Sequence, residues 1–446
     1  MSDRDEVIVV GAGPAGLAAA FRLQQSGCSV RVLEAADRVG GAMCSSERDG
    51  FLLDRGAIFL PTTYRHLLSL TEDAGLGGEI VPGGFTFGLV RGGRVHQIDG
   101  DHPIRDFART KFLTPAGKIL AARLAPEVLR SRKATVGRIA EAGVFDTRSL
   151  AEWVNEALSP ELSNFLISAA IRGIFAAEPQ QVSRVEFLGI VSLFAGAKLV
   201  AFNKGMGSFA EGLAARLDVT LGARVTAVEQ LADGARVTWE GPDGERTESV
   251  AGCVVALPAQ LAAGVRVDLD RWRAEYLGAV RRGQLVTPNI ALARAPRGLH
   301  ATYTMVPRAE HPFLGGFACD HNKAPGRVPR GKGLLTLTLT NEWCERHFDD
   351  DDDALRSICA ETADAFLPGV SDDIEFIEIN RWQQQYSPVG HYAHLGAFQA
   401  RTRRLDRTVQ LAGEYLSTPN LESATASGQA AAAALLSALN QPAFTT

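Results

Sequence analysis

The hexapeptide Gly11-Ala12-Gly13-Pro14-Ala15-Gly16 restricts this chain more than any other stretch of it. It follows the run Val7-Ile8-Val9-Val10 and opens a small-residue segment that predicts a helix from Pro14 to about Gln25, stopped at Gly27. A continuous β-branched run of this kind is what a parallel strand covered on both faces requires. The three glycines meet separate demands. Gly11 permits the tight turn, Gly13 lets backbone approach a pyrophosphate, and Gly16 lets helix and strand pack closely. The first helical turn, with Pro14 and Ala15, then offers free N–H groups and partial positive charge to phosphates. A second predicted strand, Ser29–Leu33, ends at Glu34. A carboxylate there can accept both ribose hydroxyls and disfavours a 2′-phosphate, so FAD or NAD fits better than NADP.

At 446 residues the chain favours two or three domains. Helices are expected over Arg65–Ala74, Pro115–Leu129, Ser149–Leu158 and Ser163–Phe175, and the whole of Thr62–Asn203 reads as mainly helical with glycine-rich loops at Gly75–Gly93. Short strands follow at Arg224–Glu229, Arg236–Trp239 and Cys253–Leu257. Gly283–Trp382 alternates strands around one helix at Asp350–Phe366, whose preceding acidic run Asp349–Asp353 suits a helix N-terminus. The basic residues Arg123, Arg130, Arg132, Lys133 and Arg138 read as a solvated face.

A formal net charge of −5 gives nucleic acid no global attraction. Six scattered cysteines without a Cys-x-x-Cys pair read as reduced thiols, with no metal site. Met1–Glu6 is polar and acidic and does not read as a signal peptide. The longest apolar stretch, Phe187–Phe202, is too short to span a bilayer and contains Lys198. A cytoplasmic protein is expected, with membrane contact at most peripheral.

Two segments resemble one family. "GAGPAGLAAAFRL…VLEAADRVGG", with Glu34, Arg38, Gly40 and Gly41, is similar to the N-terminal signature of the FAD-dependent amine oxidase and protoporphyrinogen oxidase superfamily. "VQLAGEYLSTPNLESATASGQAAAA" resembles that superfamily's second FAD motif. "GMGSFAEGLAARL" and "GARVTAVE" resemble the turn and strand that return the chain to the cofactor domain. The resemblance implies an α/β protein: a Rossmann-like FAD-binding domain of glutathione-reductase type with an inserted α+β substrate domain. On that pattern the cofactor domain comprises 1–61, 204–282 and 400–446, and the substrate domain 62–203 and 283–399. The cofactor contacts it implies are Gly11, Gly13, Pro14, Ala15, Gly16, Glu34, Ala35, Arg38, Gly40, Gly41, Ala42, Gly56, Ala57, Val225, Gly413, Glu414, Asn420, Leu421 and Ala424.

Three departures narrow what the resemblance implies. Gln383–Ala400 contains no cysteine for covalent attachment, so FAD is expected to be non-covalent. The stretch "VRRGQLVTPNIALAR" offers Arg281 and Arg282 but no lysine to hold a water near the flavin. Asn420 falls where amine oxidases keep an aromatic, so a cage for neutral amines is not expected. In contrast, Gln385, Tyr386, Gly390, His391 and Leu395 match a protoporphyrinogen-oxidase pattern. The expectation is a flavin oxidoreductase of that type, acting on a small apolar or cyclic molecule with oxygen or another acceptor. Trp382, Tyr386, His391 and Asn420 are the candidates for its reacting face. The alternatives are an amine or amino-acid oxidase with Arg172 pairing a substrate carboxylate, a carotenoid-type desaturase, and a non-catalytic flavin-bound partner.

Overall fold

The computed structural model describes residues 6–402 and 407–440. The parts of the expected domain division at 1–5, 403–406 and 441–446 lie outside the described residues, as does the opening of the Met1–Glu6 segment.

Strand Glu6–Val10 is central in a five-stranded parallel sheet, between Ser29–Leu33 and Gly252–Val255; Asp218–Thr220 and Val409–Leu411 form its edges. Parallel strands need crossovers, and here two of them are long: one from Leu33 to Asp218 and one from Val255 to Val409. Val7 and Val9 point into one apolar layer and Ile8 and Val10 into another, which explains the unbroken run in the sequence. The first layer is closed by the helix Pro14–Gln25 and the terminal helix Leu421–Leu439. These two can lie close because the meeting residues are small; a Cβ on Gly428 would come within 2.0 Å of the Ala15 carbonyl oxygen. On the opposite face sits the antiparallel sheet Arg224–Leu231, Gly234–Gly241 and Gly244–Val250.

A second, seven-stranded sheet runs in the order Ile374–Tyr386, Arg281–Leu292, Gly333–Leu339, Leu314–Cys319, Tyr303–Met305, Thr86–Arg91, Arg94–Asp99. Its last hairpin corrects the expected loop. Gly92 and Gly93 both have positive φ, the requirement of a tight two-residue hairpin turn, so this glycine pair joins strands. The expected helix Pro115–Leu129 is also interrupted, as Pro115–Ala121 and Ala125–Arg130, since Pro126 has no N–H to continue the ladder. Ser163–Phe175 begins as a wider π turn over Leu162–Ile167, and Leu199–Phe202 is a strand at the end of the segment expected to be helical. The acidic run behaves as a cap: the Asp351 carboxylate accepts from the N–H groups of Asp353 and Ala354.

One buried carboxylate gathers segments that are far apart in sequence. Asp54, at the end of strand Phe51–Asp54, accepts from Lys323 Nζ at 2.8 Å, from Arg327, from the Met206 N–H at 2.9 Å and from the Ser45 hydroxyl at 2.7 Å. Burial alone would raise its pKa; Lys323 and Arg327 instead hold it at about 2.

Candidate functional site

The glycine loop leaves strand Glu6–Val10 and enters the helix exactly where its length allows no side chains between them: a Cβ on Gly16 would meet the Gly11 carbonyl oxygen at 1.8 Å. Gly13, the N-cap, is different. Open space surrounds the position its Cβ would take, at a helix start that has no side-chain cap. The Glu34 carboxylate closes the far side, one oxygen accepting the Ala12 N–H at 2.7 Å and the other the Ala36 N–H at 2.9 Å. Each oxygen keeps a lone pair for a further donor. Ala35 is exposed beside it. The Glu34 carbonyl accepts from Ala223 at 2.8 Å, which brings the strand carrying Val225 alongside.

The segment 38–43 lies against this loop. Gly40 N–H donates to the Ala12 carbonyl at 2.8 Å, and Gly41, with φ +54, faces the Gly13 Cα. Arg38 donates to the Gly41 carbonyl at 2.9 Å. The Ala42 carbonyl accepts the Ala57 N–H at 2.9 Å, and Gly56 passes so near that a Cβ would be 2.3 Å from Ala42 O. Residues far apart in sequence thus form one continuous backbone-lined wall.

The terminal segment supplies the other wall. Gly413 N–H donates to Ser427 Oγ at 2.9 Å, so the turn is anchored on the helix that follows it. Glu414 is half-buried; burial pushes its carboxyl up to about 7, with Arg282 pulling the other way. Leu421 and Ala424 begin the helix, and Asn420 is its N-cap. The Asn420 side-chain oxygen accepts the Ser423 N–H at 2.8 Å while its Nδ2 donates to Thr418 Oγ1 at 2.7 Å. Both ends of the amide are therefore engaged.

The reacting-face candidates do not all meet. Trp382 donates its indole N–H to the Arg55 carbonyl at 2.7 Å and stacks 5.7 Å from the Arg38 guanidinium, next to the wall at Gly56. Tyr386 packs, half-buried, against the aromatic cluster of the helical segment. His391 instead opens the helix His391–Thr402 on the opposite face of the parallel sheet, between Tyr392 and Tyr276. Burial pushes its pKa down to about 4. Arg172 is corrected outright. It is fully buried, paired with Glu178, and donates to the carbonyls of His311, Pro312 and Leu314, which leaves it no reach for a substrate carboxylate.

Two features were not read from the sequence. Phe59 lies two residues past Ala57, edge-on to Tyr303 at 4.8 Å and to Phe194 at 6.5 Å, and Phe194 in turn meets Phe87. Half-buried Phe59, Phe87 and Phe194 thus form an aromatic cluster that begins two residues past Ala57. The second feature is Glu186, inside the apolar helix Arg184–Phe194. A lone carboxylate in such a run was the available signal. It accepts from Tyr392 OH at 2.8 Å, its other oxygen has no partner among the described residues, and burial raises it to about 7. The folded state therefore holds this proton where the unfolded chain has lost it. Stability from Glu186 is complete below about pH 4.5 and declines as pH rises toward 7, by on the order of 3 kcal/mol. Glu186→Gln is expected to flatten that decline, so that the variant is the more stable protein at pH 8 in denaturant titrations; an unchanged pH profile would remove Glu186 from this role.

Comparison with known proteins agrees with this geometry. The family model described as flavin containing amine oxidoreductase matches residues 14–436. Putrescine oxidase of Kocuria rosea is 48% identical over 71 residues, 16% of this chain and only 15% of that protein. Protoporphyrinogen oxidase 1 of Arabidopsis thaliana is 24% identical over 386 residues, covering 74% of this chain and 68% of that protein. Among solved structures, cyclohexylamine oxidase from Brevibacterium oxydans superposes with a TM-score of 0.77 at 20% identity, over 98% of this chain and 100% of that one. At that identity the likeness speaks to the fold.

Proposed function

Since the chain belongs to the family of flavin-containing amine oxidoreductases, we propose that it is an FAD-dependent oxidoreductase of protoporphyrinogen-oxidase type, acting on a C–N or C–C bond of an apolar or cyclic biosynthetic intermediate. Held non-covalently, FAD would supply the hydride acceptor at N5, and its electrons would pass on to oxygen.

The residues present fit such a group. Gly11, Gly13, Pro14, Ala15 and Gly16 would hold the phosphates, because the helix start is uncapped and the Gly13 position is open. Glu34, Ala35 and Val225 would hold the adenosine end, where the Glu34 carboxylate is already oriented by two backbone donors. Arg38, Gly40, Gly41, Ala42, Gly56 and Ala57 would form the wall that lets backbone run along the cofactor. Gly413, Glu414, Leu421 and Ala424 would take the sugar chain and pyrimidine end, with the terminal helix directing its positive end there. Phe59, Phe87 and Phe194 would exclude water from the reacting side and orient an apolar substrate by contact.

The observation that carries the reading is the use made of Asn420. Its amide caps the helix, Oδ1 accepting the Ser423 N–H and Nδ2 donating to Thr418 Oγ1, and it offers no aromatic face to a small amine. The engagement of Arg172 within the protein likewise argues against recognition of an amino-acid carboxylate. Anaerobic mixing of the FAD-loaded protein with a panel of compounds tests this. The visible flavin band is expected to bleach with reduced cyclic apolar compounds and to persist with primary alkylamines and amino acids. Fast bleaching by either of the latter would overturn the substrate class, and a protein that cannot be loaded with FAD would overturn the cofactor assignment.

A further inference from the structure

Beside the edge strand Val409–Leu411 lies a cavity of about 590 Å³, within the size range of small-molecule sites. None of the cradle glycines lines it. One wall is the outward face of the terminal helix, with Ala430 and Ala434; another is Phe398 on the helix His391–Thr402. The floor is polar. Arg266, Arg273 and Arg407 all border the cavity.

These three arginines are not equally served. Arg266 binds the Asp268 carboxylate through Nε at 2.9 Å and Nη2 at 2.6 Å. Arg407 reaches Asp270 at 3.3 Å. Arg273 is 4% exposed, and its guanidinium has the Asp270 carboxylate no nearer than 3.9 Å and no side-chain hydrogen bond with any of the described residues. The same cavity is bordered by Ser417, also 4% exposed, whose Oγ has no partner among the described residues. Buried polar groups are ordinarily hydrogen-bonded, and a buried guanidinium whose carboxylate stands 3.9 Å away is only weakly served. Burial, reinforced by the neighbouring Arg407, already pulls the Arg273 pKa down to about 10. An anion would relieve that penalty. The alanines and Phe398 above the floor would accommodate an apolar body attached to it.

We propose that this cavity is a binding site for an amphipathic organic carboxylate, its head group on Arg273 and Ser417 and its hydrocarbon along Ala430, Ala434 and Phe398. The site lies beyond the sheet's edge, along the helix whose start the cradle uses; Ser423 and Ser427 border it, but no glycine of the cradle does.

Octanoate is a suitable probe, titrated calorimetrically into the FAD-loaded protein, with octanol as its uncharged match. Wild type is expected to bind octanoate and not octanol. Arg273→Gln should weaken octanoate about tenfold or more, and Ser417→Ala should weaken it less. Ala430→Trp, which fills the cavity while leaving Arg273 in place, should abolish binding even if Arg273→Gln proves insoluble. Absence of binding to wild type at millimolar octanoate would overturn the proposal. So would unchanged affinity in Ala430→Trp, or a flavin spectral shift on binding that this variant retains, since either places octanoate elsewhere.

Discussion

Gly428→Ala is expected to yield a colourless, strongly destabilised protein, although alanine is the better helix former. The two effects can be weighed. Replacing glycine within a helix by alanine favours the helix by about 1 kcal/mol. The new Cβ, however, would sit 2.0 Å from the Ala15 carbonyl oxygen, which belongs to the first turn of the facing helix and cannot swing away as a side chain could. The helices must part by about 1 Å or more, at a cost of about 3 kcal/mol or higher. Because Ala15 is in the turn we propose to face the phosphates, that displacement would also misplace the proposed cradle. Thermal unfolding and flavin retention through gel filtration measure both consequences, with exposed Ala433→Ser as the control. A yellow Gly428→Ala protein with wild-type midpoint would show that the two helices are not held this closely.

Asp54→Ala is expected to cost about 3–5 kcal/mol and to lower the thermal midpoint by on the order of 10 °C. It removes the partner of two buried cations at once, Lys323 and Arg327, together with the acceptor of the Met206 N–H. Asp320 remains beside Lys323 at 3.0 Å and softens the loss without replacing it. The pH dependence has a definite sign. A carboxyl held at about 2 stabilises the fold fully above its ordinary value of 3.8, and that contribution disappears as pH falls through 2. Wild type should therefore lose stability between about pH 4 and pH 2 by an amount that Asp54→Asn does not show. Parallel acid-unfolding curves for the two proteins would remove Asp54 from its place as the anion that holds Lys323 and Arg327.

How much of this was legible in the sequence depended on how local each cause is. The glycine loop could be read residue by residue, because each glycine answers a contact within one turn or one neighbouring strand. The small residues of Leu421–Leu439 were legible for the same reason once a partner helix was assumed. The hairpin Thr86–Asp99 was missed although its signal was present: Gly92-Gly93 between alternating residues is a turn between strands, and glycine richness over the wider stretch hid it. Asn420 was identified by position, but its work as a cap follows from the exact start of the helix, three residues before Ser423. Arg172 misled because only Glu178 is close in sequence. The carbonyls of Pro312 and Leu314, which complete its engagement, arrive from a distant strand. Glu186 gave a signal without a meaning, since Tyr392 had to be brought to it by the fold.

The return of Val409–Leu411 and the terminal helix to the first sheet has a consequence for how the protein is made. The first βαβ unit is synthesised early, yet the apolar face of its helix waits for residues about four hundred positions further along the chain. At roughly 5–20 residues per second that interval is on the order of half a minute. During it the alanine-rich face of Pro14–Gln25 has no native cover, and the wall containing Glu414 does not exist. A chain interrupted anywhere before Leu421 is therefore left without the helix that covers Pro14–Gln25.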